Sequence, residues 1–283
     1  ISDAREDIDR AVSAVDDIAL DLSLARFAAA YDLTRPSFVE GEATVAVEGA
    51  RNLDLLAGDA DVQPVRYALG EHGMTPPPGD ERVAVLTGAN SGGKTTLLET
   101  VCQVVVLAHM GLPVPAESAE LTLFDDVVFH RRHASFNAGV LESTLKSVVP
   151  PLTGEGRTLM LVDEFEAITE PGSAADLLHG LVTLTVDRDA VGAFVTHLAD
   201  DLEPLPEAAR VDGIFAEGLT PDLELEVDYQ PRFDQLGRST PEFIVSRLVA
   251  DADDRVERAG FETLAAAVGE ETVQTTLADA EWA

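Results

Sequence analysis

The sequence predicts an α/β fold built on a mainly parallel sheet, and three observations predict it. The apolar, β-rich run Val83-Ala84-Val85-Leu86-Thr87 leads into Gly88-Ala89-Asn90-Ser91-Gly92-Gly93-Lys94-Thr95, which fits GxxxxGK[ST], and a helix-length apolar stretch follows. Two further strand-like runs, Thr158 to Val162 and Ala190 to Thr196, lie downstream with helix-length segments between them. The order strand, helix, strand, helix, strand requires crossover connections, and crossovers give parallel pairing.

Taken along the chain, residues 1 to 35 read as a helix. Ile8, Val12, Val15, Ile18, Leu22 and Phe27 recur at three- and four-residue steps with Asp, Glu and Arg on the other face, and Pro36 closes the pattern. The chain opens on Ile in mid-helix pattern, which points to the trimmed C-terminal part of something longer. Residues 37 to 70 alternate like short strands, as in Ala43-Thr44-Val45-Ala46-Val47, and are expected to form a sheet flanking the nucleotide; Pro76-Pro77-Pro78-Gly79-Asp80 is a loop. Residues 82 to 217 form the long α/β unit, with a helix from Lys94 to His109. A strand-like stretch, Leu223 to Tyr229, precedes Gly237-Arg238-Ser239-Thr240-Pro241, and two helices finish the chain.

The GxxxxGK[ST] stretch carries the chemistry. Glycines at 88, 92 and 93 let backbone N–H groups turn onto phosphate oxygens, and the helix N-terminus adds its positive dipole end. Lys94 should reach the β- and γ-phosphates, and the Thr95 hydroxyl should take a Mg²⁺ position. A second strand, Thr158-Leu159-Met160-Leu161-Val162, ends in Asp163-Glu164. There Asp163 is expected to bind the metal through water and Glu164 to accept the proton of an attacking water. Ala193-Phe194-Val195-Thr196 ends in His197, which is expected beside the γ-phosphate as a hydrogen-bonding sensor.

Composition limits the setting. The formal net charge is −33, from 52 Asp plus Glu against 19 Lys plus Arg, and Lys94 and Lys146 are the only two lysines. With 46% hydrophobic residues the chain has the apolar content of a folded core rather than of a disordered segment. This balance resembles that of proteins from salt-loving archaea, where molar salt shortens the Debye length to about 3 Å. The one cysteine, Cys102, excludes an internal disulfide, and no apolar run reaches the ~18 residues of a membrane span, so a cytoplasmic protein is expected. Direct DNA binding needs Lys and Arg, and beyond Arg131-Arg132-His133, which Asp125 and Asp126 precede, the sequence offers little positive charge.

At this point the residues carry a resemblance. Gly88 to Lys94 with Thr95 and Thr96 resembles the phosphate loop of the MutS family of DNA mismatch-repair and recombination ATPases, relatives of the ABC ATPases. Further blocks agree in order: Gly111-Leu112-Pro113-Val114-Pro115-Ala116, Ser135-Phe136 as the signature serine, Asp163-Glu164 with Thr169-Glu170-Pro171-Gly172-Ser173-Ala174, Thr196-His197, and Arg238-Ser239-Thr240-Pro241 with its helix. The departures are Phe136 directly after Ser135, Phe165-Glu166-Ala167-Ile168 in place of a glycine-containing segment, and Arg51-Asn52-Leu53 in place of Arg-His-Pro. They suggest a divergent branch.

The resemblance implies a P-loop NTPase, ABC-ATPase-like, in three parts: the end of the lever helices at 1–36, the ATPase core with its flanking sheet at 37–217, and a C-terminal strand and helical dimerisation segment at 218–283. It implies an ATPase converting ATP and water to ADP and phosphate with Mg²⁺. Gly88, Asn90, Ser91, Gly92, Gly93, Lys94, Thr95 and Thr96 would bind the nucleotide, Thr95 and Asp163 the metal, with Glu164 and His197 catalytic. Ser135 would act across a homodimer interface, and DNA would be held by upstream domains absent from this chain. Two alternatives stay open: an ATP-gated dimerisation module with negligible hydrolysis, and an ABC-like chromosome-maintenance ATPase.

Overall fold

The computed structural model describes residues 2–58, 61–75, 77–79, 81–88, 93–131, 138–165, 171–202, 204–219, 225–237, 241–252 and 254–268. At its centre is a six-stranded sheet. It contains β4 (Val83–Gly88), β6 (Asp126–His130), β7 (Thr158–Asp163), β8 (Val191–Val195), β9 (Ala209–Ile214) and β12 (Arg232–Phe233). They run in the order β12-β9-β4-β8-β7-β6; every pairing is parallel except that of β12 with β9. The sheet is therefore mainly parallel.

Side-chain alternation builds a core on each face. Ala84 and Leu86 of β4, Leu159 and Leu161 of β7, and Val191, Ala193 and Val195 of β8 pack with Leu97, Leu98, Val101, Val104 and Val105 of α3 (Lys94–His109). On the opposite face Val83, Val85, Met160, Val162 and Phe194 meet Val148 and Leu152 of α4 (Ala138–Thr153) and Leu178, Leu181 and Val182 of α5 (Pro171–Asp187). Helices cover both faces, as parallel strands require. The α3 boundaries match the sequence expectation because left-handed Gly93, at φ 78°, opens the helix and Met110 with left-handed Gly111 ends it.

A second sheet of four strands packs on the α3 side. Its order is β1-β5-β2-β3, from β1 (Ser37–Phe38), β2 (Val45–Ala50), β3 (Val65–Leu69) and β5 (Ser118–Leu121), with a short helix α2 (Leu53–Ala57) between β2 and β3. A sheet was expected from residues 37 to 70; the addition is β5, which follows α3 in sequence yet lies between β1 and β2. Three strands of the central sheet, β6, β9 and β12, lay outside the strand expectations. In β9 the run Ala209-Arg210-Val211-Asp212-Gly213-Ile214 places charge at alternate positions, the pattern of a half-solvated strand, yet Arg210 and Asp212 are both buried.

The first helix, α1 (Ser2–Ala30), stops short of Pro36. Asp32 turns left-handed at φ 51°, and Arg51 caps the helix end by donating from Nη2 to the carbonyls of Tyr31 (3.0 Å) and Asp32 (3.2 Å). Its apolar stripe, Ile8, Val12, Val15, Ile18 and Leu22, is exposed. Within the described part of the strand-like 223–229 stretch, β11 (Leu225–Val227) pairs with β10 (Ala216–Leu219). The two final helices are α6 (Pro241–Asp251) and α7 (Arg255–Val268), joined through Val245, Val249, Phe261 and Ala265. Among the described residues no helix is long and apolar enough to cross a membrane.

The C-terminal ends of β4 and β9 meet residue 237 at unusually close range. The Gly237 N–H donates to Thr87 Oγ1 at 2.7 Å, Thr87 Oγ1 donates to the Asp212 carbonyl at 3.2 Å, and a Cβ built on Gly237 would fall 2.9 Å from Gly88 Cα. Backbone touches backbone directly beneath the start of the GxxxxGK[ST] loop.

Candidate functional site

The C-terminal edge of the central sheet gathers most of the residues singled out in the sequence. Gly88 closes β4 at φ 124°, and a Cβ there would lie 2.0 Å from the Ile214 carbonyl oxygen, so the position accepts only glycine. Asn90, Ser91 and Gly92 lie outside the described residues. Gly93 resumes the chain, and a Cβ on it would stand 2.9 Å from the Tyr229 ring. Lys94 is the first residue of α3; it is buried, and its Nζ donates to the Gly88 carbonyl at 2.8 Å. The ammonium thereby ties the first residue of α3 to the last residue of β4.

One turn of α3 aims Thr95 at β7. The Thr95 Oγ1 donates to Asp163 Oδ2 at 2.9 Å, while Asp163 Oδ1, also buried, has no hydrogen-bond partner. Burial pushes the Asp163 carboxyl above the usual aspartate range; the Thr95 hydrogen bond opposes this, Glu164 adds to it, and Lys94 and Arg131 pull it back. An unpaired buried carboxylate oxygen beside a threonine hydroxyl fits a Mg²⁺ position. Mg²⁺ takes one or two protein oxygens and completes its shell with water and phosphate. Among the described residues no group of three or more His, Cys, Asp or Glu side chains gathers elsewhere to offer a metal cage.

Glu164 departs from the strand sharply. Its φ is 43°, a left-handed conformation that costs a non-glycine residue of order 1 kcal/mol, and its N–H donates to the Val195 carbonyl at 3.0 Å. That turn brings Glu164 Oε1 to 3.1 Å from His197 Nε2. His197 follows β8, where Thr196 N–H donates to the Leu86 carbonyl and so ties the β8 end back to β4. Thr95, Asp163, Glu164 and His197 thus form a continuous polar edge across α3, β7 and β8.

Beside this edge opens a cavity of about 420 Å³. The start of α3 from Gly93 through Thr96 forms one wall, and Asn52, Val62, Gln63 and Tyr229 form part of the other. Asn52 and Tyr229 were not assigned to the site from sequence. Asn52 Oδ1 caps α2 by accepting from Asp54 N and Leu55 N, and its Nδ2 donates to Thr100 Oγ1 at 3.3 Å, which locks α2 against α3. Arg51 points away to the end of α1. Tyr229 is held by its neighbour: Gln230 Oε1 accepts from Arg66 N and Gln230 Nε2 donates to the Arg66 carbonyl, both at 2.8 Å. A Gln side chain thereby extends the edge of β3 like one more strand residue, and nothing local in the sequence signals it.

Other expectations fall differently. Ser135 lies outside the described residues, as do Arg132, His133, Phe136, Thr169, Glu170 and residues 238–240. Pro171 begins α5 and Pro241 begins α6. Arg131 does not join a basic patch among the described residues; its Nη2 pairs with Glu99 Oε1 on α3.

The comparisons agree in direction. Residues 84–150 match the family described as MutS domain V. The chain is 46% identical over 219 residues to the DNA-binding protein MutS2 of Pyrococcus furiosus, covering 77% of this chain and 38% of that protein. It is 35% identical over 215 residues to the DNA mismatch repair protein MutS 2 of Halobacterium salinarum, covering 71% and 23%. Against the Endonuclease MutS2 of Thermomicrobium roseum it is 29% identical over 247 residues, covering 82% and 28%. The chain therefore spans well under half the length of these relatives. Taken together, the domain V match and the MutS2-type relatives support membership of this chain in the MutS family.

Proposed function

We propose that this chain is the Mg²⁺-dependent ATPase domain of a MutS-like DNA repair or recombination protein, acting in the cytoplasm as a homodimer. The observation that carries the reading is the Thr95–Asp163 hydrogen bond, with one Asp163 oxygen left unpaired and Glu164 held on His197 beside it. The relatives' names supply the setting of repair, recombination and DNA.

In this reading the phosphates of ATP lie on the loop from Gly88 to Lys94 and on Thr95 and Thr96, at the positive end of α3. Lys94 exchanges the Gly88 carbonyl for β- and γ-phosphate oxygens. The base enters the cavity between Asn52 and Tyr229, whose ring offers a stacking face. Thr95 and Asp163 would hold Mg²⁺, which would supply charge neutralisation at the phosphates. Glu164 takes a proton from the water whose oxygen attacks the γ-phosphorus, and the bond to the bridging oxygen breaks to leave ADP and phosphate. His197 fixes the Glu164 carboxylate through their 3.1 Å contact and donates to the γ-phosphate.

Ser135 is assigned to the second nucleotide site of a dimer, where it donates to the γ-phosphate across the interface. α6 and α7 are assigned to dimer contact. DNA contact belongs to other parts of the parent protein, because 19 Lys plus Arg against 52 Asp plus Glu give this chain little affinity for phosphate backbone.

The test is ATP hydrolysis against protein concentration in molar KCl for the native chain and Glu164→Ala, with mass followed by light scattering. Specific activity that rises with concentration, ATP-promoted dimers and a turnover-dead variant that traps the dimer are the expected results. Nucleotide-dependent dimers without turnover in either protein would replace the motor with an ATP-gated clamp. Absence of nucleotide binding would end both readings.

A further inference from the structure

Arg131 occupies a position that the fold does not need for stability. Its side chain is 65% exposed, and an exposed ion pair contributes about 0–1 kcal/mol at most. Yet three constraints converge on where it stands. The parallel register of β6 on β7 pairs His130 with Val162, so Arg131, just past the end of β6, and Asp163, the last residue of β7, follow at adjacent positions. Its partner Glu99 follows Thr95 by four residues on α3, which puts Thr95 and Glu99 on one face of that helix, a turn apart. Thr95 itself is bonded to Asp163.

Two helix residues thus hold two sheet ends in parallel: Thr95 holds Asp163, and Glu99 holds Arg131. The Arg131 charge reaches the Asp163 carboxyl, where it acts with Lys94 and in the same sense. Lys94, at the start of α3, and Arg131, just past β6, therefore act on the same carboxylate. A guanidinium on a half-exposed tether suits phosphate oxygens, which it meets with two parallel hydrogen bonds.

We propose that Arg131 is a further triphosphate-binding residue of this site, exchanging Glu99 for the terminal phosphate when a nucleoside triphosphate binds. The proposal rests on the nucleotide-site reading above. It makes Glu99 a competitor: its carboxylate holds the guanidinium one helical turn away from the phosphates and must release it. Because the terminal phosphate is what Arg131 meets, the residue separates triphosphate from diphosphate, and it does so at the point where the chain leaves β6 for the segment that contains Ser135.

The experiment is calorimetric titration of the 283-residue chain in molar KCl and Mg²⁺ with ADP and with a non-hydrolysable ATP analogue. It compares the native protein with Arg131→Gln, Arg131→Lys, Glu99→Gln and Lys94→Ala. Arg131→Gln should weaken the triphosphate analogue about tenfold, the size of one charge-assisted phosphate contact, and leave ADP within about twofold. Arg131→Lys should recover part of the loss, and Glu99→Gln should tighten the analogue. Equal weakening of both nucleotides by Arg131→Gln, or no change in either, would overturn the assignment while native binding that Lys94→Ala abolishes keeps the underlying site. Native protein that binds neither nucleotide would remove the site and this role with it.

Discussion

Two buried aspartates of the central sheet have opposite surroundings. Asp212, in β9, is fully enclosed, and Arg210 Nε donates to both of its oxygens at 3.0 and 3.1 Å. Arg210 Nη2 also donates to the Ala68 carbonyl at 2.7 Å, and its guanidinium lies over the Tyr67 and Phe233 rings. Asp163, at the end of β7, has one hydroxyl partner and one oxygen with none. Burial raises both carboxyls, but at Asp212 a guanidinium answers it inside the fold, while at Asp163 the strongest opposing contact is a neutral hydroxyl. The difference teaches how to sort buried acids in a chain rich in them: a satisfied carboxylate joins two sheets, whereas an unsatisfied one marks where a cation is proposed.

Breaking the satisfied pair should have the largest effect. Arg210→Met leaves Asp212 buried and uncompensated, which should cost about 3–5 kcal/mol in denaturant unfolding, and adding Asp212→Leu should restore most of it. If the single variant loses less than ~1 kcal/mol, the pair is not the joint between the sheets. Next comes chemistry without stability. Glu164→Gln keeps size and the His197 contact but removes the base, so ATP hydrolysis should fall about 100-fold or more while the midpoint of unfolding stays put. Loss of stability in parallel with rate would place Glu164 among the structural acids.

The smallest effect is the sharpest. Asp163→Asn removes an unpaired buried charge, so in EDTA at neutral pH the variant should melt about 2–4 °C above the native chain, the shift of ~1 kcal/mol in a domain of this size. Mg²⁺ with nucleotide should then stabilise the native protein and not the variant. The pH dependence has a fixed sign. A carboxyl whose folded pKa is raised binds its proton more tightly in the folded state, so the metal-free protein loses stability as pH rises from the ordinary aspartate range through the raised value. Asp163→Asn should make that slope shallower, with Asp212 supplying the remainder; an unchanged slope would mean that Asp163 is not the strained group.

Much of the central unit was legible because its signals are local. A strand, a glycine loop and a helix follow one another between Val83 and His109, and Asp163-Glu164 ends an apolar run, so those boundaries came from adjacent residues. The flanking sheet was only half legible. Its strand β5 enters between β1 and β2 after the whole of α3, and pairing at such separation leaves no periodic trace. β9 went unassigned for a related reason: alternating charge says that one face is polar, not whether that face meets water or a guanidinium's partners in another sheet. At the site, Lys94, Thr95, Asp163, Glu164 and His197 were named by residue type and position. Asn52 and Tyr229 were not, since each depends on a neighbour brought from far along the chain.

The contact of residue 237 with the base of the loop has a mechanical consequence. Where side chains separate one backbone from the next, rotamer changes can absorb small displacements. Between Gly237, Thr87 and Gly88 there is no such cushion, only a 2.7 Å hydrogen bond and bare backbone. Residues 232–237 run from β12 to this contact, so a shift of β12 is passed to Gly88, the first glycine of the GxxxxGK[ST] stretch, through backbone alone.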